Sequence, residues 1–279
     1  MSGEVLSRPL LRQYLETLGV AEKSPSRDAL AELVQAHLTR VPFENISKLY
    51  YRKNLGLTNL PTIHQYLDGI AQNHFGGTCY SNNYYFYRLL VSLEYDVKLC
   101  AADMTAPAVH AFSLVRVEGR EYLVDTGYAA PFLSPIPRDL KTAYVAELGR
   151  DRYVFNPQDE NRCSRLDLYR DGVLKHGYLA RPEPRRIEDF EGVIKGSFRP
   201  DATFLNSLLL ARFYPGRSVV IHNFALIESQ GTVSTIRRLQ GLEELMATIE
   251  KRFEMPRHII SEALSGQDKF RDAWDGASP

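Results

Sequence analysis

One cysteine of the chain lies in a sequence context that favours reactivity. The dipeptide Gly76-Gly77 comes shortly before Cys79, and the spacing from Cys79 onward predicts a helix in which Asn83 and Phe86 share its face. A thiol at a helix N-terminus lies beside unpaired backbone N–H groups, whose partial positive charge favours the thiolate and can hold an oxyanion. Because free cysteines usually pack as small apolar side chains, this pattern leaves both a nucleophile and a packing role open.

A histidine and an aspartate are predicted to meet on one face of a β-hairpin. The strand-like runs 110–117 and 120–125 are separated by two residues, which is the loop length of a tight hairpin. In that register Phe112 lies opposite Asp125, so His110 is a diagonal neighbour of Asp125 on the same face, whereas a one-residue slip would separate them. We predict that Asp125 accepts a hydrogen bond from one imidazole nitrogen of His110 and leaves the other to take a thiol proton. The alternative is that both side chains are solvated at strand ends.

The elements that must position these residues begin with helices over most of residues 9–90. Apolar residues at helical spacing predict a first helix that ends before Gly19. Ser24 is predicted to be the N-cap of a second helix, which ends before Pro42. Cys79 would then start the last helix of this region.

The apolar period changes to two from about Asp96, which predicts strands in the middle of the chain. Residues 150–180 could add more strands, and the charged, proline-containing stretch 181–186 is typical of a connection between domains. The later elements are predicted in this order: strands at 218–227 and 232–239 that turn at Gln230-Gly231, then a helix at 241–253.

Length and charge restrict the class of protein. The chain has 279 residues, which allows two or three packed subdomains. Lysine plus arginine and aspartate plus glutamate both number 34, so no net field attracts nucleic acid or an acidic membrane surface. The N-terminus lacks the apolar run of a signal peptide, and no apolar stretch reaches membrane-spanning length, so we expect a cytoplasmic protein that binds neither nucleic acid nor membrane. The three cysteines and the histidines other than His110 show no ligand or pairing pattern, so neither a metal site nor a disulfide is predicted.

Several segments together resemble the arylamine N-acetyltransferase family. In order and spacing they match the motifs of that family over nearly the whole chain, and they are specific in combination although no single one is. The similar segments are RVPFEN at 40–45, GGTC at 76–79 with Asn83, His110 before a strand, YLVDTGY at 122–128 and RPDATF at 199–204.

The resemblance implies a fold of the α+β class. Residues 1–90 would form an N-terminal helical bundle that carries the nucleophile, and residues 91–190 a β-barrel that carries the histidine and the aspartate. Residues 191–279 would supply an interdomain segment and a C-terminal α/β lid. The catalytic triad is expected in an arrangement like that of cysteine proteinases.

The resemblance also implies a reaction. It assigns Cys79 as the nucleophile, His110 as the base and Asp125 as the residue that orients the base. Acetyl-coenzyme A, or another acyl-coenzyme A, would be the co-substrate that acylates the cysteine in a ping-pong reaction. An aromatic amine or hydrazine would then take the acyl group, and no cofactor would be bound permanently. Tyr128 stands where the family keeps an aromatic residue of the substrate pocket, so it is predicted to contact the acceptor.

The chain departs from the family pattern at three positions. The family has Arg-Gly-Gly-x-Cys-x-Glu-x-Asn around the nucleophile, but this chain has Phe75 and Ser81 at the two charged positions. We predict that these family residues are mainly structural and that the fold survives their joint loss, although Glu44 would then lack a cationic partner. Ala129 stands where a second glycine often lets the backbone approach the ligand, which leaves the identity of the acyl donor open.

Two other interpretations remain. A transglutaminase-like or papain-like hydrolase uses a cysteine, a histidine and an aspartate equally well, and it needs an open cleft without a coenzyme pocket. A catalytically silent relative that binds a small molecule or a partner protein is suggested by Phe75, Ser81 and Ala129. Labelling of Cys79 with iodoacetamide identifies the silent relative, because only an activated thiol is alkylated at acidic pH.

Overall fold

The computed structural model of the chain describes residues 5–267, 270 and 271. The outermost parts of the first and third predicted domains, residues 1–4, 268, 269 and 272–279, lie outside the described residues. The helices are α1 (Arg8–Leu18), α2 (Arg27–Arg40), α3 (Ile46–Leu55), α4 (Ile63–Asn73), α5 (Cys79–Ser92), α6 (Glu191–Gly196), α7 (Thr203–Asn206), α8 (Leu242–Phe253) and α9 (Arg257–Leu264). The strands are β1 (Phe43–Glu44), β2 (Asp96–Asp103), β3 (His110–Val117), β4 (Arg120–Val124), β5 (Ile136–Pro137), β6 (Tyr144–Leu148), β7 (Asp151–Phe155), β8 (Ser164–Arg170), β9 (Val173–Pro184), β10 (Leu209–Tyr214), β11 (Arg217–His222), β12 (Ala225–Gln230) and β13 (Val233–Arg238).

The first two helices begin and end for local reasons. α1 ends at Gly19, whose φ of 61° is left-handed and whose N–H reaches carbonyls of the last turn, as predicted. α2 begins after Ser26, whose Oγ accepts a hydrogen bond from the Ala29 N–H at 3.1 Å. The prediction of Ser24 as the N-cap was therefore wrong, because Ser26 makes the capping bond.

Eight antiparallel strands form a nearly closed barrel in the middle of the chain. Their order is β5-β4-β3-β2-β9-β8-β7-β6. Buried aromatic side chains, among them Phe112, Phe155 and Tyr178, fill its core. The stretch 181–186, predicted to be a connection, instead supplies the last residues of β9, since that strand continues to Pro184.

The hairpin of β3 and β4 has the predicted register. Val117 lies opposite Arg120, so only Glu118 and Gly119 form the loop. Both loop residues have positive φ, 51° and 76°, as in a type I′ hairpin turn. This turn determines which residues of the two strands share a face.

A second sheet has the order β1-β10-β11-β12-β13. Its edge strand β1 comes from the N-terminal part of the chain, where Phe43 pairs with Ala211, and the sequence pattern predicted no strand there. The single strand predicted at 218–227 is wrong, because the chain turns at Asn223 to form β11 and β12. Asn223 adopts a left-handed φ of 52°, and its Oδ1 accepts a hydrogen bond from the Leu208 N–H at 2.8 Å.

The N-terminal helices are shared between two hydrophobic cores. Helices α1, α2, α4 and α5 enclose an apolar cluster against the β3–β4 hairpin, whose Val115 and Tyr122 are buried there. Helix α3 instead packs on α9 and contributes Ile46 and Leu49 to a core with the C-terminal helices. The N-terminal and C-terminal parts of the chain are therefore packed together next to the barrel.

Candidate active site

Close backbone packing positions the segment that precedes the predicted nucleophile. Strand β1 lies beside the two glycines: the Glu44 N–H donates to the Gly77 carbonyl at 3.0 Å, and Asn82 Nδ2 donates to the same carbonyl at 3.1 Å. A Cβ on Gly76 would lie 1.9 Å from the Pro42 carbonyl oxygen, so only glycine permits this approach. The RVPFEN and GGTC segments are therefore packed against each other at the start of α5.

Helix α5 starts at Cys79, as predicted. Its N-cap, Thr78, has an extended backbone and makes no side-chain capping bond. Cys79 is partly exposed and lines a large cavity. Uncapped N–H groups in the first turn of a helix are suited to holding negative charge on an oxygen beside the thiol.

His110 and Asp125 form a buried hydrogen-bonded pair. His110 Nε2 lies 2.8 Å from Asp125 Oδ2, and both side chains are almost completely buried. Burial is the largest influence on the pKa of His110 and lowers it, but the charge and hydrogen bond of Asp125, together with Cys79, raise that pKa to about 10. Burial raises the pKa of Asp125, but the charge of His110 and several hydrogen bonds hold it below its ordinary value. The pair is therefore an imidazolium and a carboxylate at neutral pH.

Asn83 of helix α5 holds the carboxylate of Asp125. Its Nδ2 donates to Asp125 Oδ1 at 2.9 Å and to the Ala111 carbonyl at 2.6 Å. Its Oδ1 accepts a hydrogen bond from the Thr126 N–H at 2.8 Å. The sequence pattern placed Asn83 on the face of Cys79 but gave it no role, and its spacing from the cysteine was the available signal.

The loop after β4 lies directly against the start of α5. A Cβ on Gly127 would lie 2.8 Å from Cys79 Cα, so glycine is needed for this close contact. The Cys79 side chain is close enough to His110 to contribute to its raised pKa, and because Asp125 occupies Nε2 of the imidazole, Nδ1 is the nitrogen left for the thiol. The structure thus brings the three predicted side chains together at the edge of one cavity.

Tyr128 lies beside His110 and has a hydrogen-bond partner that no sequence pattern predicts. The ring centroids of Tyr128 and His110 are 5.8 Å apart, and Tyr178 stacks on His110 at 5.2 Å. The Tyr128 hydroxyl lies 2.8 Å from His176 Nδ1. Burial, followed by the charges of His110 and Arg165, lowers the pKa of His176 to about 4, so this imidazole is neutral. No spacing in the sequence marks His176, because residues that meet across a barrel are distant along the chain.

The cavity beside Cys79 and His110 has a volume of about 870 Å³. Its wall is mostly apolar and comes from β1, the barrel and the five-stranded sheet, with Phe43, Leu209 and Val220 among the lining residues. A largely apolar cavity of this size with a few convergent polar groups is typical of a small-molecule site.

Two arginines in the wall of this cavity are each paired with an aspartate. Arg170 donates from Nε and Nη2 to the two carboxylate oxygens of Asp151, at 2.6 and 2.8 Å. Arg150 is paired with Asp171 in the same bidentate manner. Each carboxylate offsets the charge of its guanidinium and uses two of its five N–H donors.

The residues that depart from the family pattern are accommodated in the fold. Phe75 is buried between Tyr50 and Tyr51, with ring centroids 5.7 Å from each, and Ser81 is also buried. An aromatic cluster thus occupies the position of the arginine in the family pattern. Ala129 lines the cavity with a left-handed φ of 60°, a conformation that favours glycine.

Glu44 is completely buried, and backbone groups hold its carboxylate. It accepts hydrogen bonds from the Ser47 N–H at 2.9 Å and the Gly76 N–H at 3.0 Å. Burial raises the pKa of Glu44, and these hydrogen bonds oppose the increase. Among the residues that the structure describes, no cationic side chain forms an ion pair with Glu44.

Neither a metal-binding cluster nor a membrane-spanning helix is found in the described part of the chain. Within residues 5–267, 270 and 271, no group of three or more His, Cys, Asp or Glu side chains could hold a metal ion. In the same residues, no helix is long and apolar enough to cross a membrane.

Comparison with known proteins identifies the family. The sequence profile of the N-acetyltransferase family matches residues 27–259, which is most of the chain. The chain therefore belongs to this family, and the resemblance to arylamine N-acetyltransferases that its motifs predicted is confirmed.

Curated relatives align with different lengths of the chain. Arylamine N-acetyltransferase, pineal gland isozyme NAT-3, of Gallus gallus is 27% identical over 280 residues, which cover 88% of this chain and 93% of that protein. Arylamine N-acetyltransferase 1 of Homo sapiens is 24% identical over 213 residues, which cover 66% of this chain and 70% of that protein. Proansamycin X synthase of Amycolatopsis mediterranei is 30% identical over 132 residues, and the chain spans only half the length of that relative.

Solved structures share the fold over most of the chain. The arylamine N-acetyltransferase of Nocardia farcinica has a TM-score of 0.74 and 26% identity, covering 91% of this chain and 93% of that one. The Mycobacterium marinum arylamine N-acetyltransferase in complex with CoA has a TM-score of 0.76 and 20% identity, covering 92% and 99%. These similarities confirm the α+β class and the barrel.

Proposed function

We propose that this protein transfers an acetyl or other acyl group from an acyl-coenzyme A to an aromatic amine or hydrazine through a thioester on Cys79. The observation that carries the proposal is the hydrogen-bonded pair of His110 and Asp125 beside Cys79 at the start of α5. Family membership supports acyl transfer, because the curated relatives include several arylamine N-acetyltransferases.

The first half-reaction forms the acyl-enzyme. Before the donor binds, His110 already holds the proton of the Cys79 thiol as an imidazolium that Asp125 stabilises, in keeping with the raised pKa of His110, about 10. The thiolate attacks the thioester carbonyl, and the N–H groups of the first turn of α5 hold the oxyanion. The carbon–sulfur bond to coenzyme A then breaks, and the departing thiolate takes the proton from His110.

The second half-reaction transfers the acyl group to the acceptor. The amine nitrogen attacks the carbonyl carbon of the Cys79 thioester, and His110 accepts the proton that the nitrogen loses. The carbon–sulfur bond breaks, an amide is released, and Cys79 becomes a thiolate beside the imidazolium again. Water must be excluded in this step, since it would hydrolyse the thioester.

The C-terminal part of the chain is proposed to act as a lid. In this assignment residues 1–90 carry the nucleophile, residues 91–190 carry the histidine and aspartate, and residues 191–279 supply an interdomain segment and the lid. The supporting observation is that side chains of the five-stranded sheet, such as Leu209 and Val220, line the same cavity as Cys79. An apolar wall there would keep water from the acyl-enzyme.

An acyl-coenzyme A is proposed as co-substrate and not as a permanently bound cofactor. The Mycobacterium marinum relative was solved in complex with CoA, which supports this class of donor. The mostly apolar wall beside Cys79 is suited to the acyl chain and to the ring of the acceptor.

The two alternatives have less support. A hydrolase of the papain or transglutaminase type could use the same three side chains, but the family profile that matches residues 27–259 is that of N-acetyltransferases. A silent binder needs no hydrogen-bonded base, whereas His110, Asp125 and Asn83 are joined in one buried network beside the thiol. The decisive experiment detects the covalent acyl-enzyme. After the protein is mixed with an acyl-coenzyme A, the mass of the intact protein must increase by one acyl group on Cys79.

Tyr128 is proposed to contact the acceptor through its hydroxyl. With His176 Nδ1 as one partner, the phenol oxygen retains capacity to accept a bond from a substrate hydroxyl. Tyr128→Phe is expected to raise the KM for 4-aminophenol about fivefold, because one hydrogen bond contributes roughly 1 kcal/mol. The KM for 4-methylaniline, which has a methyl in place of the hydroxyl, should change less than twofold. Steady-state kinetics with both amines measures this difference.

Tyr144→Phe serves as the control for Tyr128→Phe. Tyr144 is a half-buried tyrosine of β6 and is not part of the cavity wall, so its hydroxyl should not affect either amine. Equal changes in KM for the two amines in Tyr128→Phe would contradict the proposed contact.

A further inference from the structure

Lys48 of helix α3 is an unusually buried lysine. Its side chain and backbone together are only 8% exposed. Its Nζ donates to Ser197 Oγ at 2.8 Å and lies 4.2 Å from the centroid of the Phe198 ring. Lysine is almost never buried to this degree without a charged partner, because the ammonium loses its hydration. A negative charge nearby would therefore stabilise the ammonium of Lys48.

The surroundings of Lys48 lead to the start of α5. Lys48 lines a small internal space together with Gly77, Thr78 and Ser197. Ser197 also lines the large cavity, where Cys79 lies. The lysine is thus packed behind the residues that immediately precede the nucleophile, and its hydrogen-bond partner reaches the same cavity as the thiol.

The charges that act on Lys48 are few. Burial, the largest influence, lowers the pKa of Lys48 to about 8; the negative charge of Cys79 opposes this, and Arg52, on the same helix, lowers it further. Among the described residues, no carboxylate forms an ion pair with Lys48. Cys79 follows directly after Thr78, which lines the same small space as Lys48, so a negative charge on its sulfur would act on the buried ammonium.

We propose that Lys48 is a positioning residue whose ammonium, held by Ser197, stabilises the thiolate of Cys79 as a second cation beside His110. This inference rests on the proposed function, in which Cys79 is the nucleophile. Phe75 stands where the family pattern has an arginine. Lys48 of α3 therefore supplies a cation near a position where this chain lacks the arginine of the family. The same hydrogen bond joins α3 to the segment after α6, because Ser197 follows that helix directly.

The effect of Lys48 is expected in the pH dependence of the thiol. The titratable groups on which Cys79 acts electrostatically include Lys48 from α3, His110 from β3 and Tyr80 from α5, and Asp125 acts through His110. Removing the ammonium makes the thiolate harder to form, so alkylation of Cys79 must require a higher pH. From Coulomb attraction at an effective dielectric constant near 20, the midpoint should rise by about 0.5 to 1.5 pH units.

The experiment measures the rate of Cys79 alkylation by iodoacetamide as a function of pH. Peptide mass spectrometry distinguishes alkylation of Cys79 from alkylation of the two buried cysteines. Lys48→Met should raise the midpoint by about 0.5 to 1.5 pH units, and Ser197→Ala should move it the same way by less. Lys48→Arg, which keeps the charge, and Lys53→Met, which removes an exposed lysine of the same helix, should leave it within about 0.3 units. The acid limb of kcat/KM should move by the same amount.

Different results separate this inference from the proposed function. An unchanged midpoint in Lys48→Met, with the acyl-enzyme still formed, would overturn the role of Lys48 and leave a merely structural lysine. If Lys48→Met does not fold, Ser197→Ala decides, and an unchanged midpoint in that variant has the same meaning. Failure of the wild-type protein to form any acyl-enzyme would instead overturn the proposed function.

Discussion

Replacement of His110 by glutamine is expected to lower kcat/KM for acyl transfer by about 10⁴-fold. Glutamine can fill the site and keep a hydrogen bond to Asp125, but it cannot take the proton of Cys79 or return it to the leaving thiol. Both half-reactions need that proton transfer, so neither a better donor nor a better amine should restore the rate. Release of coenzyme A from acetyl-coenzyme A, followed with a thiol reagent in the presence of an arylamine, measures the loss.

The other imidazole of the cavity provides the matched control. His176→Gln changes a neutral histidine whose Nδ1 bonds the Tyr128 hydroxyl, so it should alter acceptor binding and reduce kcat/KM by less than about 30-fold. Comparable losses in the two variants would mean that His110 is not the general base. Activity of His110→Gln within tenfold of the wild type would contradict the mechanism directly.

Replacement of Asp125 by asparagine is expected to lower kcat/KM by about 10³- to 10⁴-fold at pH 7. The carboxylate accepts hydrogen bonds from three donors, namely His110 Nε2, Asn83 Nδ2 and the Gly127 N–H. An asparagine must turn its amide nitrogen toward at least one of them, which leaves two donors facing each other. It also removes the charge that supports the imidazolium.

The pH dependence of this variant follows from the pKa of His110. Asp125 raises that pKa against the effect of burial, so the stability gained from the protonated imidazole is present below the ordinary pKa of 6.5 and is lost as the pH rises through about 10. Without the carboxylate, the pKa of His110 must fall, and the alkaline limb of the acylation rate should move to lower pH. The decrease in the free energy of unfolding between pH 6.5 and 10 should also become smaller, which denaturant unfolding at several pH values measures.

An exposed aspartate offers the control for Asp125→Asn. Asp139 is paired with Arg120 at the surface, and Asp139→Asn should change neither the rate nor the alkaline limb. An alkaline limb that stays in place in Asp125→Asn would show that the aspartate does not set the protonation of His110.

The pairing of His110 with Asp125 could be predicted because it depends on local chain geometry. A two-residue loop allows one register, and the observed pairing of Val117 with Arg120 is that register. The start of α5 at Cys79 was likewise visible in the apolar spacing. What no local pattern could supply was the distance between the helix and the hairpin, which depends on the contact of Gly127 with Cys79.

The residues that the sequence pattern did not predict are positioned by contacts between distant parts of the chain. The strand at Phe43 exists because β10 lies beside it, and two residues are too short for a periodic pattern. His176 and Lys48 are ordinary polar residues in the sequence, and only packing shows that His176 lines the cavity and that Lys48 is buried behind the start of α5. The wrong N-cap prediction for α2 has a local cause. Serine is a favoured N-cap residue, so Ser24 and Ser26 are both candidates, and only Ser26 makes the capping bond.

The central claim is that Cys79 carries the acyl group, and intact-protein mass spectrometry tests it most directly. The wild-type protein and Cys79→Ala are mixed separately with acetyl-, propionyl- and malonyl-coenzyme A, and an arylamine is then added. We predict that the wild type gains the mass of one acyl group from at least one donor, that Cys79→Ala gains none, and that the arylamine removes the added mass. An unchanged mass with every donor, although Cys79 is still alkylated by iodoacetamide at acidic pH, would contradict the claim and favour the hydrolase; a thiol without that reactivity would favour the silent binder.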